Sequence, residues 1–128
     1  MFVPSTLLRR LYVRKSLKNV DLDGDGAYEA FQFKLKNVLA SGTISGKFML
    51  KVDGREVPPE DVEVEFKGEV RKLSEFTPET KLRFSVGEEI TFTVKREGGL
   101  APGKHKIEIE ARTQEYGRIR FAFEDEVS

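Results

Sequence analysis

The residues best suited to chemistry stand in a short acidic segment, Asp21-Leu22-Asp23-Gly24-Asp25-Gly26. Calcium loops begin this way, because alternate carboxylates aim their oxygens inward while glycine permits the tight bend. The twelfth position of such a loop carries a bidentate Glu, but here it is Gln32, inside a strand pattern. Asp21, Asp23 and Asp25 are therefore candidate calcium ligands, and a simple hairpin turn, which also uses Asp and Gly, is the interpretation we favour.

His105 is the only histidine, and the chain has no cysteine. A catalytic triad or a metal site would need partners of fixed geometry around this ring. His105 shares the strand phase of Ile107 and Ile109, so we expect it to point inward at a strand end. This pattern favours a structural histidine, and we predict no residue that is catalytic in this chain alone.

A glycine-rich loop, Gly98-Gly99-Leu100-Ala101-Pro102-Gly103-Lys104-His105, connects two strand patterns. Functional residues gather on loops at the ends of sandwiches, and glycine lets the backbone take positive φ or approach a neighbour closely. Leu100 would fill either its own core or a groove of a partner. The predicted partner contacts in this loop are Gly98, Gly99, Leu100, Pro102 and His105.

A second predicted contact surface surrounds the turn 114–117, where Tyr116 lies between arginines. Arg118 and Arg120 share one strand face, opposite Ile119 and Phe121. Tyrosine and arginine are enriched at protein interfaces, so Tyr116, Arg118 and Arg120 are candidate partner contacts. A solvated polar face is the alternative interpretation.

The elements that must position these residues are strands. Six segments alternate apolar and polar residues with a period of two, at 31–36, 47–52, 62–67, 90–95, 106–111 and 119–123. One apolar and one polar face is typical of an antiparallel sheet packed on one side. We predict an all-β fold, an antiparallel β-sandwich or jelly-roll-like domain of about seven to nine short strands, with a partly closed barrel as the alternative.

The length of 128 residues predicts a single domain, with residues 1–10 as a candidate arm and 124–128 as a frayed tail. One helical turn is expected near residues 72–76. Lys plus Arg and Asp plus Glu number 22 each, which disfavours nucleic acid and removes a charge barrier to self-association. No apolar run approaches the roughly 20 residues of a membrane helix, so we expect a cytoplasmic chain without membrane partners.

Several segments of the chain follow one another in a characteristic order. They are Ser16–Asn19, Phe31–Leu35, Val52–Asp61, Leu73–Glu75, Phe84–Glu89 and Lys95–His105. In this order the chain resembles the β subunit of C-glycoside deglycosidases, and the stretch Gly98–His105 is the most specific part of the similarity.

The resemblance implies a small β-sandwich subunit that pairs with a TIM-barrel α subunit. In that family the α subunit carries the divalent metal and the catalytic residues, and the pair cleaves the carbon–carbon bond between a 3-keto sugar and an aromatic aglycone. It therefore implies a non-catalytic accessory subunit of a sugar-processing hetero-oligomer, with no cofactor in this chain.

Two other classes of function stay open at this point. One is a stand-alone binding module for carbohydrate or calcium, which ligand-dependent stabilisation of the isolated chain would reveal. The other is a self-sufficient enzyme that uses surface carboxylates, which we rank last.

Overall fold

The computed structural model describes residues 3–127, which form ten antiparallel strands in two sheets. The strands are β1 (Lys18–Val20), β2 (Ala30–Lys36), β3 (Gly42–Val52), β4 (Arg55–Glu56), β5 (Val62–Phe66), β6 (Glu69–Lys72), β7 (Lys81–Phe84), β8 (Glu89–Lys95), β9 (Gly103–Thr113) and β10 (Gly117–Val127). The predicted all-β sandwich is confirmed. Four of these strands, β1, β4, β6 and β7, have only two to four residues, too few for the alternation to mark them.

The two sheets have simple antiparallel orders. The first is β1-β2-β8-β5-β6, and the second is β10-β9-β3-β4 with β7 also paired to β3. Hairpins connect β1 to β2, β3 to β4, β5 to β6 and β9 to β10. The loops of these hairpins therefore lie at the ends of the strands, where they can expose functional groups.

The inward-facing side chains of the strands form one hydrophobic core between the two sheets. Phe33 stacks on Phe92 within the first sheet at a centroid distance of 4.9 Å and meets Phe123 of the second at 5.5 Å. Phe48 contacts Phe92 edge-on across the core at 5.1 Å. Each aromatic pair adds about 1 kcal/mol beyond the burial of its area, and the contacts of Phe33 with Phe123 and of Phe48 with Phe92 join the two sheets.

The N-terminal residues belong to the domain and do not form a detached arm. Helix α1 (Ser5–Leu8) and a 3-10 turn (Arg9–Leu11) bury Leu8 and Leu11, and the Tyr12 ring stacks on Phe123 at 3.6 Å. The prediction of an arm at 1–10 was wrong for residues 3–10, because Leu8 and Leu11, one turn apart, pack into the core. Tyr12, in extended conformation after the 3-10 turn, pairs with Leu35 of β2. Residues 1 and 2 lie outside the described residues.

The predicted frayed tail at 124–128 was also wrong as far as residue 127. Strand β10 continues to Val127, which is buried, and the Asp125 carboxylate accepts hydrogen bonds from the Tyr12 hydroxyl and the Lys15 amide at 2.8 Å each. The acidic run suggested solvation, but one of its carboxylates ties β10 to the N-terminal segment. Residue 128 lies outside the described residues.

The expected helical turn near residues 72–76 is present as a 3-10 helix, Leu73–Glu75, which buries Leu73. No helix within residues 3–127 is long and apolar enough to cross a membrane.

Candidate functional site

The hairpin loop between β1 and β2 assembles four carboxylates. Asp21, Asp23, Asp25 and Glu29 each offer one oxygen, and these four oxygens all lie within 4.8 Å of one another. Hard divalent cations such as calcium prefer oxygen ligands of this kind, several to a site. The predicted ligands Asp21, Asp23 and Asp25 are therefore brought together, with Glu29 as a fourth.

Asp21 also shapes the loop. Its Oδ1 accepts from the Gly24 amide at 2.8 Å and its Oδ2 from the Gly26 amide at 2.7 Å, while both glycines have positive φ. The hydrogen bond from Gly26 is the main reason that the pKa of Asp21 is lowered. The loop thus forms the hairpin turn that we favoured, and this turn keeps the three aspartates close to one another.

Glu29 is the least satisfied member of the cluster. Its Oε1 accepts from the Leu22 amide at 2.6 Å, but its Oε2 is shielded from solvent and has no hydrogen-bond partner among residues 3–127. Burial raises the pKa of Glu29, and the charges of Asp23 and Asp25 add to the rise. A shielded carboxylate oxygen without a donor is unfavourable, and a bound cation would relieve both effects.

The sequence contained a signal for Glu29 that a search for the twelfth loop position misses. Counted from Asp21, Glu29 stands ninth, a position that also contributes to calcium loops, often through water. Gln32, at the twelfth position, lies in β2, and its amide donates to the Thr93 hydroxyl at 2.9 Å, so it serves the sheet.

The glycine-rich loop lies directly beside the acidic loop. The Gly98 amide donates to the Tyr28 carbonyl and the Arg96 amide to the Glu29 carbonyl, both at 2.9 Å. The two loops therefore form one end of the sandwich, and the backbone of the Glu29 segment supports the start of the second loop.

Leu100 fills its own core, which decides between the two roles considered for it. The side chain is 2 % exposed, and the Asn19 side chain bonds both the amide and the carbonyl of Leu100, at 2.7 and 2.9 Å. The same contact explains Gly99, where an added Cβ would lie 2.5 Å from Asn19. Leu100 and Gly99 therefore serve the packing of the domain itself. Gly98 and Pro102 are exposed, and their contact with a partner stays a prediction.

His105 is fixed on both sides of its ring. Its Nδ1 lies 2.7 Å from Asp53 Oδ2 and its Nε2 lies 2.6 Å from the Ala101 carbonyl oxygen. The hydrogen bond to Asp53 is the main reason that the pKa of His105 is raised, and the same bond lowers the pKa of Asp53. Two acceptors favour the protonated ring, which donates from both nitrogens and joins the glycine-rich loop to the turn at Asp53.

Tyr116, Arg118 and Arg120 do not join this end of the molecule. His105 lies near the start of β9, and Tyr116 lies in the turn that follows its end, eight residues or about 26 Å from His105 to Thr113. Arg118 and Arg120 pair with Arg112 and Glu110, seven and five residues along β9 from His105. The predicted contact residues thus form two separate surfaces, with Tyr116 at the opposite end of β9 from His105. Arg118 and Arg120 are exposed on β10, and their role in binding a partner stays a prediction.

Tyr116 lines an apolar groove of about 390 Å³ between helix α1 and the loop 37–42. Leu7 and Val38, which are 38 % and 51 % exposed, lie in the same groove. Asn37 fixes this loop, because its buried amide donates to the carbonyls of Ala40 and Phe84 at 2.9 Å each. Sequence reasoning missed Asn37 and the groove, since neither follows from strand alternation.

Comparison with known families gives one match. A model described as the N-terminal domain of hydroxymethylglutaryl-CoA reductase matches residues 7–128, nearly the whole chain. A comparison with curated proteins gives no match.

This finding corrects the resemblance to C-glycoside deglycosidases, which was wrong. The accessory role in a sugar-processing hetero-oligomer was therefore also wrong, and the alternative of a stand-alone carbohydrate-binding module has no support. The most specific stretch, Gly98–His105, is explained by internal contacts with Asn19, Tyr28 and Asp53, which an unrelated sandwich can also use. The TIM-barrel α subunit was implied only by that resemblance and has lost its support.

Proposed function

This chain belongs to the family of hydroxymethylglutaryl-CoA reductase N-terminal domains, and on that premise we propose that it is a non-catalytic domain serving such a reductase. The match over residues 7–128 is the observation that carries the proposal. The catalytic unit is either a further part of the same polypeptide or a separate chain. The lack of cysteine is in keeping with a reducing compartment, and we propose the cytoplasm.

The state of the ionisable groups supports a non-catalytic role. Both ring nitrogens of the single histidine are engaged by Asp53 and Ala101. Tyr12, whose pKa is raised to about 12 chiefly by burial, donates its proton to Asp125. A general acid or base must be free to reach a substrate, and these residues are instead committed to the fold.

We propose that the end of the sandwich that carries Tyr116 contacts the reductase unit. An exposed apolar groove beside an aromatic residue is typical of a protein-contact surface. Leu7 and Val38 would lose their exposed area in such a contact, while the bonded Asn37 keeps the groove in shape.

The test combines this chain with the hydroxymethylglutaryl-CoA reductase catalytic unit of its own host and measures association by analytical ultracentrifugation. We expect a stoichiometric complex, and no turnover of hydroxymethylglutaryl-CoA by the chain alone. Val38→Asp should weaken association, because it places a charge in the groove. Val70→Asp is the matched control, since Val70 is similarly exposed, at 56 %, on β6 and does not line the groove.

Turnover by the isolated chain would overturn the non-catalytic role. Absence of any complex, with sedimentation of the chain as a homo-oligomer, would overturn the contact with a reductase and favour self-association. Equal effects of Val38→Asp and Val70→Asp would place the contact away from the groove.

A second proposal concerns the carboxylates at the opposite end: the loop 21–29 holds a calcium ion that stabilises the domain. The specific observation that favours it is Glu29 Oε2, which is shielded and without a donor beside three aspartates. The ion would balance four clustered carboxylates and fix the backbone at Tyr28 and Glu29, on which the neighbouring loop depends.

Thermal unfolding of the chain with calcium, with magnesium and with a chelator tests this proposal. Calcium at a hundredfold excess over Kd should add about 2.7 kcal/mol to the free energy of unfolding. Asp23→Asn should remove the calcium-dependent rise, whereas Glu60→Gln, at an exposed residue of the 3-10 turn 59–61, should keep it. Identical melting temperatures with calcium and with chelator would refute the calcium site.

A further inference from the structure

Strand β10 is an edge of the second sheet. Within residues 3–127 its only strand neighbour is β9, with which it pairs along its whole length, from Gly117 to Val127. Its eleven residues make an edge of roughly 35 Å at about 3.4 Å per residue. A long edge strand presents a row of backbone groups on which another strand can pair.

The backbone groups that face this edge belong to the even-numbered residues. The Lys106 amide donates to Asp53 Oδ1 and the Lys106 carbonyl accepts from the Asp53 amide, so both point away from β10. Lys106 is paired with Glu124, and in an antiparallel ladder both members of such a pair direct their backbone groups away from each other. With a period of two, the residues whose backbone groups point outward are Arg118, Arg120, Ala122, Glu124 and Glu126.

These outward groups are open to a partner strand. In the described range 3–127, the backbone of β10 bonds to no main-chain group outside β9, and among the outward amides only that of Glu126 has an acceptor, Asp125 Oδ1 at 2.8 Å. The N-terminal segment flanks the edge, but a groove of about 780 Å³ lies between them, lined by Arg9, Arg10 and Arg14. A second concavity of about 590 Å³ continues along the strand to Arg118. A groove of this form along an edge strand suits an extended strand.

The outward side chains indicate which strand fits. The exposed, even-numbered positions of β10 carry two arginines before Ala122 and two glutamates after it. Charges usually protect an edge from pairing, but this order makes the strand complementary to itself. A second copy of β10, antiparallel about a two-fold axis at Ala122, places Arg118 opposite Glu126 and Arg120 opposite Glu124. Opposite charges directly across two strands stabilise their pairing, and symmetry repeats each pair.

Other symmetric registers lose this match. An axis at Arg120 or at Glu124 sets that residue against its own copy, and like charges directly opposite are unfavourable. With the axis at Ala122, the match also extends to the neighbouring strand, because β9 pairs Glu110 with Arg120 and Lys106 with Glu124. The signs of the charges then alternate across four strands of the joined sheet, and a zero formal charge leaves no overall repulsion between the copies.

We propose that two copies of this chain associate through β10, antiparallel about a two-fold axis at Ala122, and join their second sheets into one. The interface differs from the apolar groove at Tyr116, which shares only Ile119 with β10. The dimer therefore goes beyond the proposed contact with a reductase and does not depend on it. The competing occupant is an acidic extended segment of another protein, attracted by the arginines of the flanking groove.

Sedimentation equilibrium of the full chain from about 1 μM to about 1 mM tests the proposal, since this range covers the Kd expected for an interface of modest area. Arg118→Glu with Arg120→Glu should weaken the dimer about tenfold or more, because attractive pairs become repulsive. Glu124→Arg with Glu126→Arg should weaken it similarly. An equimolar mixture of the two double variants should dimerise at least as tightly as the unchanged chain, because every charge then meets its opposite.

Lys47→Glu with Lys51→Glu is the matched control, since it makes the same change of charge at exposed residues of β3 and should leave the Kd unchanged. An equal loss in this control would attribute the association to overall charge and overturn the interface. A mixture of the two β10 variants that stays monomeric would overturn the register. An unchanged chain that is monomeric throughout but binds an oligoglutamate peptide would replace the second copy by an acidic partner.

Amide hydrogen exchange tests the strand pairing itself. The outward amides of Arg120, Ala122 and Glu124 should exchange roughly tenfold more slowly above the Kd of the dimer than below it. The amides of Ile119 and Phe121 face β9 and should change little. An exchange rate at Ala122 that does not depend on concentration would exclude pairing through β10.

This proposal and the reductase contact fail separately. Val38→Asp lies in the apolar groove and should leave the dimer intact. An intact dimer that forms no complex with the reductase unit overturns the reductase contact alone. A monomeric chain that does form the complex overturns the β10 interface alone.

Discussion

The acidic loop 21–29 and the glycine-rich loop 96–105 lie side by side at one end of the sandwich, yet they use their polar groups in opposite ways. The second loop bonds its groups internally, through Asn19 to Leu100 and through His105 to Asp53 and Ala101. The first leaves a shielded oxygen of Glu29 without a donor, facing like charges.

The difference shows which of two conspicuous loops is structural. Glycine and histidine draw attention in a sequence, but in the loop 96–105 they serve close approach and bonding within the fold. The acidic loop has a plain turn function as well, but its unsatisfied carboxylate sets it apart. Unsatisfied polar groups, more than conspicuous residue types, indicate where a ligand would add stability.

The largest expected effect tests the structural role of Leu100. Leu100→Asp should lower the free energy of unfolding by about 4 kcal/mol, because it buries a carboxylate without a partner. Ala101→Asp introduces the same group at the next, exposed position and should change stability by less than about 0.5 kcal/mol. Urea unfolding of both variants measures the contrast, and a stable Leu100→Asp variant would show that the loop does not complete the core.

The next effect separates backbone strain from close contact. Gly99→Ala should cost about 3 kcal/mol, because a Cβ would lie 2.5 Å from Asn19 at a φ of 69°. Gly98→Ala should cost about 1 kcal/mol, since its φ is 80° but no atom lies within 4 Å of the added carbon. Equal urea midpoints for the two variants would contradict the proposed packing of Gly99 on Asn19.

A smaller effect concerns the hydrogen bond between His105 and Asp53. We expect it to contribute about 1 kcal/mol to the free energy of unfolding, because Asp53 is half exposed. Because the pKa of His105 is raised in the folded state, protonated His105 contributes its full stabilisation at pH values below the ordinary pKa of 6.5. This stabilisation is lost as the pH rises through the pKa of the folded state. Because the pKa of Asp53 is lowered in the folded state, the charged Asp53 stabilises the fold at pH values above the ordinary pKa of 3.8. This stabilisation is lost as the pH falls through the pKa of the folded state. His105→Gln should therefore be most destabilising between about pH 4 and 6.5, as measured by urea unfolding across pH; a loss that does not vary with pH would exclude this pair as the cause.

The smallest effect has the opposite sign and belongs to the acidic loop. The raised pKa of Glu29 means that the folded state binds its proton more tightly, so stability falls as pH rises above the ordinary value of 4.5. Without calcium, Glu29→Gln should therefore raise the melting temperature at pH 7 and lose this advantage near pH 4. Glu60→Gln should show neither change, and a destabilised Glu29→Gln variant at pH 7 would argue that Glu29 is already satisfied.

The resemblance failed for a physical reason. Many β-sandwiches carry the same turn residues at similar spacings, because the backbone conformation of a hairpin turn requires pairs such as Asp-Gly and Gly-Gly whatever the function of the protein. The order of such segments therefore carries little information about activity. The family match extends over residues 7–128, nearly the whole chain, and it overturned the resemblance to C-glycoside deglycosidases.

The alternation of apolar residues by itself determined six of the ten strands, their inward faces and the core phenylalanines they carry, because side chains on a strand alternate between its two faces. The spacing of Asp21, Asp23 and Asp25 likewise determined that their carboxylates meet. Only the tertiary structure decided that Glu29 joins them, that Asn19 holds Leu100, and that Arg9, Arg10 and Arg14 line one groove against β10. These contacts join residues from separate hairpins and termini, and local periodicity carries no information about which segments pack together across the fold.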